Sequence, residues 1–213
     1  MIEEIRMKSK TEEVDYQFIM NCLRDYRAPR DKVTKLLASG SLIRIKKGLY
    51  VFGQNWARRP YNLATLANMI YGPSYISLEY ALQYYGMIPE HVHEITCMTT
   101  RRGKQFQTPV ARFSYFHLPK RKYAIGFNWV SFSTYHGAFI ASKEKSLADL
   151  LYKKKYKWNS DQDLEDTLFD DLRLEEEAVV NLNHLEMSKI AVAYGNATIT
   201  QFSDWLQRKG KGL

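Results

Sequence analysis

Three observations predict that this 213-residue chain folds as an α+β protein in two parts. Stripes of apolar residues with helical spacing recur along the sequence, and runs with a two-residue period lie between them. The segment QNWARRP, residues 54–60, separates a short first set of elements from a longer second set. Hydrophobic residues make up 45% of the chain, which is enough for a substantial core.

Two helices are predicted near the start of the chain. Within DYQFIMNCLRD, residues 15–25, the apolar side chains share one helical face, and Asp15 can cap the first turn. Pro29 is compatible only with the first turn of a helix, so the chain breaks before it and a second helix runs to Ser39. Gly40 then ends that helix as a C-terminal cap residue.

A basic β-hairpin follows the second helix. In SLIRIKKGLYVFG the apolar residues Ile43 and Ile45 alternate with basic ones, the period of a strand. Gly48 supplies the positive φ that a tight turn requires before the second strand, LYVF. Helix, break, helix and basic hairpin within about 40 residues predict a winged helix-turn-helix over residues 1–57. Its third helix comes from segment 3–10 or from the DYRAP link.

The remainder, 58–213, is predicted as a mixed α+β domain with a small sheet and a helical C-terminus. Helices are expected from Asn62, from a cap at Ser77, and over 142–155. Strands are expected over 93–99, 111–118, 127–135 and 137–141, with RRGKQFQTP as a turn-rich link between the first two. Residues 161–209 read as mostly helical, with caps at Asp161 and at Thr198 or Thr200.

Charge is unevenly distributed. Residues 1–60 carry 13 Lys and Arg against 7 Asp and Glu, and residues 61–157 carry 13 against 5. Residues 158–213 carry 5 against 11. The two basic thirds favour a polyanion as partner, and the acidic end is expected to face away from it.

The second helix and the hairpin hold the candidate DNA-binding residues. Opposite the buried face of Val33, Leu36 and Leu37, the helix presents Thr34 and Lys35 for a DNA groove. The full candidate set is Arg27, Arg30, Lys32, Thr34, Lys35, Arg44, Lys46 and Lys47.

Four segments resemble a known family. They are APRDKVTKLLASGSLIRIKKGLYVFG, GPSYISLEYALQYYGMIPE, TTRRGKQF and SKEKSLADLLY, and their order and content resemble antitoxins of the AbiEi family over about residues 15–155. The resemblance implies a cytoplasmic repressor that binds inverted repeats in the promoter of its own operon. It also implies that the second domain counteracts a nucleotidyltransferase-type toxin of a type IV pair, without requiring a stable complex. A stand-alone regulator is the alternative where no toxin exists.

A second basic segment contains Arg101, Arg102, Lys104, Lys120, Arg121 and Lys122. With Tyr115, Phe116 and Tyr123 interleaved, it could extend a nucleic-acid path or stack on RNA. Two other interpretations of this segment stay open. It could form exposed turns whose aromatic residues face the core, or it could be a surface that contacts the toxin.

Catalytic, metal and cofactor sites are not expected. The histidines at 91, 93, 117 and 136 lack metal-ligand spacing, and no phosphate loop or nucleophile motif occurs. Glu144 and Asp149 are too far apart on a helix to face each other, and the neighbouring lysines are expected in water. Cys22 and Cys97 are more simply buried and reduced than paired in a disulfide.

No apolar run reaches the roughly 20 residues of a membrane helix, and no secretory signal is recognisable at the start. These features favour a cytoplasmic, non-enzymatic DNA-binding regulator. A module that neutralises a protein partner directly is the rival from another class, and a nucleic-acid-processing enzyme is a third.

Overall fold

The computed structural model describes residues 1–210, so the last three residues of the predicted second domain lie outside it. The chain is a mixed α+β protein, as its sequence predicts. The first part contains, in chain order, α1 (Ile2–Lys8), β1 (Glu13–Asp15), α2 (Tyr16–Cys22), α3 (Pro29–Ala38), β2 (Leu42–Lys46) and β3 (Leu49–Phe52).

Local signals explain the two central helices of this part. The carboxylate of Asp15 accepts a hydrogen bond from the Phe18 amide at 2.7 Å and so caps α2. Pro29 occupies the first turn of α3, and Gly40 follows that helix at φ +68°. Of the two segments considered for a further helix, 3–10 overlaps α1 (Ile2–Lys8), and the DYRAP link forms no helix before Pro29.

The first sheet has three antiparallel strands in the order β1-β3-β2. Gly48, at φ +88°, forms the turn between β2 and β3. Gly53 is required for a different reason, because a Cβ there would lie 1.8 Å from the carbonyl oxygen of Gly40. The three-residue strand β1 was not predicted. It joins the sheet by pairing with β3 through Glu13 to Asp15.

The second part begins with α4 (Leu63–Ile70), β4 (Ser74–Ile76), α5 (Leu78–Tyr84), β5 (Ile95–Thr99), β6 (Lys104–Gln107), β7 (Arg112–His117), α6 (Lys120–Tyr123), β8 (Phe127–Ser131) and β9 (Gly137–Ala141). It continues with α7 (Lys143–Lys154), α8 (Asp161–Asp166), a π-helical turn (Thr167–Asp171), α9 (Glu176–Val180), α10 (His184–Tyr194) and α11 (Ala197–Gly210). The helical C-terminus is therefore confirmed.

The second sheet is larger than the small one predicted. It has six strands in the mixed order β6-β7-β5-β4-β9-β8. The four predicted strands are present, but the third ends at Ser131 and not at residue 135. Strands β4 and β6 were missed, and β6 lies within the predicted turn-rich link between β5 and β7.

Ser77 is the N-cap residue of α5 as predicted, whereas the caps predicted at Asp161 and at Thr198 or Thr200 are wrong. Ser77 precedes α5 but makes no capping bond, because its hydroxyl donates to a carboxylate on α7. Ser160, not Asp161, caps α8 by accepting from the Asp163 amide at 3.1 Å. Asn196, not Thr198 or Thr200, accepts from the amide of Ile199 at the start of α11.

The two parts share an apolar core. Ile45, Leu49 and Val51 of the hairpin are buried in one cluster with residues of α4 and of the six-stranded sheet, among them Ala67 and Ile140. The predicted division at residue 57 stays a prediction, and this core crosses it. The hairpin is therefore packed on both of its sides.

A buried polar contact also joins the parts. The imidazole Nε2 of His136, in the second part, lies 3.1 Å from a carboxylate oxygen of Glu13 on β1, and both side chains are almost fully buried. Next to Glu13, the carboxylate of Glu12 accepts from the Arg6 guanidinium at 2.8 Å and from the main-chain amide of Arg58 at 3.3 Å. These contacts offset part of the cost of burying charged groups, although Oε1 of Glu13 and Nε of Arg6 are buried without a hydrogen-bond partner within the described residues.

A buried ion pair lies between the six-stranded sheet and the C-terminal helices. Lys145 and Asp149, one turn apart on α7, are both fully buried, with 3.2 Å between the ammonium nitrogen and the carboxylate. The carboxylate also accepts from the hydroxyls of Tyr75 at 3.0 Å, Ser77 at 2.6 Å and Tyr194. We had expected Lys145 in water, and that expectation is wrong because α7 turns this face toward the sheet.

We expect Asp149→Asn to lower the free energy of unfolding by about 3–5 kcal/mol, because it leaves the buried Lys145 ammonium without its counter-charge. Urea unfolding of the purified chain measures this difference. Asp170→Asn, at an exposed position of the π-helical turn, is the matched control and should stay within about 0.5 kcal/mol of the parent. Equal stabilities of the two variants would show that the buried pair is not a net source of stability.

Stability should also fall in alkaline solution. Burial raises the pKa of Tyr75, Tyr115 and Tyr194 above the ordinary tyrosine value, and it raises the pKa of Tyr85 and Tyr123 to about 12. Above about pH 10.5 the unfolded chain releases tyrosine protons that the folded chain retains, so rising pH favours unfolding. The urea midpoint should decrease from that pH upward, and the part of the tyrosinate absorbance that comes from these five side chains should appear together with unfolding. A midpoint that stays constant up to pH 12 would contradict this account.

Candidate nucleic-acid interface

Helix α3 has one face in the core and the opposite face in solvent. Val33 and Leu36 are buried, whereas Arg30, Thr34 and Lys35 are exposed. The Thr34 hydroxyl donates to the carbonyl of Arg30 at 3.2 Å, which leaves its oxygen free to accept from a ligand. This face therefore offers two cations and one hydroxyl acceptor, together with the exposed carboxylate of Asp31.

Two further candidates flank the start of α3. Arg27 is exposed in the link that precedes the helix. Lys32 is half-buried, with its ammonium nitrogen 5.8 Å from the centroid of the Tyr26 ring. Lys32 thus lies at the side of the helix, and Arg27 extends the basic surface beyond its N-terminal end.

The three basic residues of the hairpin do not point in the same direction. Arg44 and Lys47 are exposed, at the end of the hairpin next to its turn. Lys46 points to the second part instead, where its ammonium donates to the main-chain carbonyls of Met69, at 3.0 Å, and Ile70 at the end of α4. The structure therefore separates Lys46 from the other candidates.

Charge pairing distinguishes the exposed candidates from other basic residues of the same part. Arg6 and Arg59 lie within 4.0 Å of the Glu12 carboxylate. Within residues 1–210, no salt bridge involves any of the exposed candidates: Arg27, Arg30, Lys35, Arg44 and Lys47. Their charges are available to an external anion.

The second basic segment divides into two places. Arg101, Arg102 and Lys104 are exposed around the start of β6. Burial lowers the pKa of Lys46, and the positive charges of Arg101 and Lys104 lower it further. The Tyr71 hydroxyl donates to the carbonyl of Arg102 at 3.2 Å, and Lys46 donates to the carbonyl of Ile70, the residue before Tyr71, so the Arg101–Lys104 turn lies close to the hairpin.

The other three basic residues lie on α6. Lys120 and Arg121 are exposed, but Lys122 donates to the main-chain carbonyl of Tyr194, and its nitrogen lies 4.9 Å from the Tyr152 ring centroid. Burial, and then the charge of Arg121, lower the pKa of Lys122. The six residues hence do not form one surface.

The aromatic residues of this segment differ in exposure. Tyr115 is buried, and its hydroxyl donates to the carbonyl of Ala67 at 2.6 Å. Phe116 and Tyr123 are half-buried and pack against the apolar core. Tyr115 is thus unavailable for stacking on a base.

Histidines and carboxylates are dispersed. His91 and His93 contact each other in the loop before β5, His117 lies at the end of β7, and His136 contacts Glu13. Across residues 1–210, no group of three or more His, Cys, Asp or Glu is placed to hold a metal ion. Cys22 and Cys97 are buried and free. None of the helices described within this range has the length and apolar character needed to cross a bilayer.

One basic and aromatic segment was missed at the sequence level. The run YKKKYKW, residues 152–158, carries four lysines among three aromatic residues at the end of α7. Three of those lysines line a cleft together with His117. The composition of the run, lysines interspersed with aromatic residues, was the available signal.

These features define the class of the site as an exposed basic surface formed by a helix, a hairpin and a neighbouring turn. No protein-family model matches the chain, and no curated protein matches it in sequence.

Substitutions of the two hairpin lysines should differ in their effect on the free energy of unfolding. Lys46→Met removes a charged donor from two carbonyls at the end of α4, so it should lower the free energy of unfolding by roughly 1–2 kcal/mol. Lys47→Ala removes an exposed side chain and should change it by less than about 0.5 kcal/mol. Urea unfolding of both variants checks this. An equal loss in both would show that Lys46 does not hold the hairpin to α4.

Proposed function

We propose that the chain is a DNA-binding transcriptional repressor whose first part works as a winged helix-turn-helix. The order α1, β1, α2, α3, β2, β3 supports this proposal, since the winged-helix module has three helices and a hairpin in such an order. The observation that carries the proposal is the exposed face of α3 beside a hairpin with exposed cations, where Arg30, Lys35, Arg44 and Lys47 form no salt bridge with residues 1–210.

Helix α3 would enter the major groove. Ten residues of helix span about 15 Å, which suits a groove about 12 Å wide. Arg30, Thr34 and Lys35 would then reach base edges, while Arg44 and Lys47 of the wing contact phosphates. Lys46 is excluded from this role because its ammonium is engaged with α4.

The Arg101–Lys104 turn would extend the phosphate contacts. It lies beside the wing and carries three exposed cations, so DNA bound to α3 and the hairpin would pass near it. The acidic C-terminal third would be repelled by the same DNA.

The resemblance to AbiEi-family antitoxins extends the proposal to the biological role. The chain would repress its own operon by binding inverted repeats in the promoter, as the antitoxin of a type IV pair. Its second part would counteract a nucleotidyltransferase-type toxin without a stable complex. A nucleotidyltransferase gene beside this one distinguishes the antitoxin from a stand-alone regulator.

A second candidate function is supported by one observation. Met69, Trp129 and Phe139 are 42%, 58% and 41% exposed and line a common apolar depression at the outer strands of the six-stranded sheet. An exposed aromatic cluster of this kind is typical of protein–protein contacts. It favours a module that neutralises a protein partner directly.

We expect the full chain to bind DNA from its own promoter more tightly than scrambled DNA of equal length. Lys47→Ala should weaken binding to both DNAs alike and reduce the slope of log affinity against log salt by about 1. Thr34→Ala and Lys35→Ala should instead change the preference between the two DNAs. Gel-shift titrations at several salt concentrations measure all three effects.

Substitutions in the full chain are preferable to removal of residues 1–57, since the hairpin is part of the core of the second part. The matched control is Lys189→Ala, an exposed lysine on α10. Promoter affinity unchanged by both Lys35→Ala and Lys47→Ala would refute the proposed interface and leave the protein-interaction candidate.

A further inference from the structure

A cleft of about 780 Å³ lies on the second part, away from α3 and the hairpin. The end of β7, the last turn of α7 with the segment after it, and the start of α11 form its walls. Its volume is within the range of about 300–1,000 Å³ that small-molecule sites occupy. The elements that form it are held together by the apolar core, which includes Leu118, Leu151 and Ile199.

One side of the cleft is cationic. Lys153, Lys155, Lys157 and His117 line it, and the lining residues described in the structure include no Asp or Glu. Lys153 is partly neutralised, because its nitrogen lies 3.8 Å from a carboxylate oxygen of Glu79. Lys155 and Lys157 are exposed and form no salt bridge with any residue from 1 to 210. Two cations thus lie at the cleft without a counter-charge from the described part of the chain.

The other side is aromatic. Phe116, Tyr152 and Tyr156 line the cleft as half-buried rings, so each has part of its surface open to solvent. The rings of Tyr156 and Trp158 are within 11° of parallel, with 6.2 Å between their centroids. Lys153 lies over the Phe116 ring, 3.7 Å from its centroid, and so fills that face. Lys122 lies over one face of Tyr152, 4.9 Å from the ring centroid, and Trp158 stacks on one face of Tyr156. Each of these two half-buried rings can therefore offer at most one face to a ligand in the cleft.

We propose that this cleft binds a free nucleotide, with its phosphates at Lys155 and Lys157 and its base against Tyr152 or Tyr156. A lysine ammonium is a common phosphate partner, and a base stacks on an aromatic ring without needing a specific hydrogen bond. Phosphate alone would leave the aromatic wall unused, and an apolar ligand would leave two cations unpaired. The inference does not rest on the proposed DNA binding, which uses other residues.

The test is isothermal titration calorimetry of the full chain with ATP, GTP, CTP and UTP in turn, and with pyrophosphate and the four nucleosides. We expect at least one nucleotide to bind at one site per chain, more tightly than pyrophosphate and than its own nucleoside. Lys157→Ala should weaken that binding roughly tenfold, the loss of one charge-assisted contact. Lys157 lies in the exposed segment after α7, so this change leaves the core intact.

The matched control is Lys154→Ala, an exposed lysine of the same run that does not line the cleft, and it should leave the affinity unchanged. Three results would overturn the proposal: no saturable binding of any nucleotide, equal losses in the two variants, or pyrophosphate binding as tightly as the nucleotide. Lys157→Ala should bind promoter DNA like the parent chain, so failure of the cleft proposal is distinguishable from failure of the DNA-binding proposal.

Discussion

The arrangement of the second part depends on the buried pair formed by Lys145 and Asp149. Burying two charges is costly, and the cost is offset only when each polar atom finds a partner. Here the Lys145 ammonium contacts the carboxylate of Asp149, the carbonyl of Lys122 at 2.6 Å and the hydroxyl of Tyr194. These three contacts use all three donors of the ammonium group. One oxygen of the carboxylate accepts hydrogen bonds from the hydroxyls of Tyr75 and Ser77, and the other oxygen accepts one from the hydroxyl of Tyr194. One helical turn of α7 thereby joins β4, α6 and α10.

A different junction orients the first part. The hairpin packs its inner face on α4 and the six-stranded sheet, and Lys46 binds the carbonyls at the end of α4. His136 and Glu13 add a buried polar contact. Because these contacts are both apolar and polar, the hairpin cannot move without disturbing the apolar core that the two parts share. The hairpin and the Arg101–Lys104 turn are thus neighbours, although Lys46 and Arg101 lie more than 50 residues apart in sequence.

Residue patterns were sufficient to predict an element where residues that start or end it are present in its own sequence. Asp15, Pro29 and Gly40 placed α2 and α3, and Gly48 placed the hairpin turn. Strands β1 and β4 have three residues each, too few to show a period of two, and they form only because a longer strand offers main-chain partners. The same limit applies to caps: Ser77 has the right residue type and position, but a buried carboxylate takes its hydroxyl.

The candidate site shows the same division. The sequence by itself determined that the chain is α+β and that α3 has one apolar and one polar face. It also showed that lysines and arginines are frequent on the hairpin and around residues 101–122. Each of these features follows from the local spacing of residue types. Only the tertiary structure decided that Lys46 faces α4 while Lys47 faces solvent, and that Lys122 and Lys145 turn inward. The physical reason is that the orientation of a long cationic side chain depends on which carbonyls and carboxylates the rest of the fold brings within about 3 Å of its nitrogen.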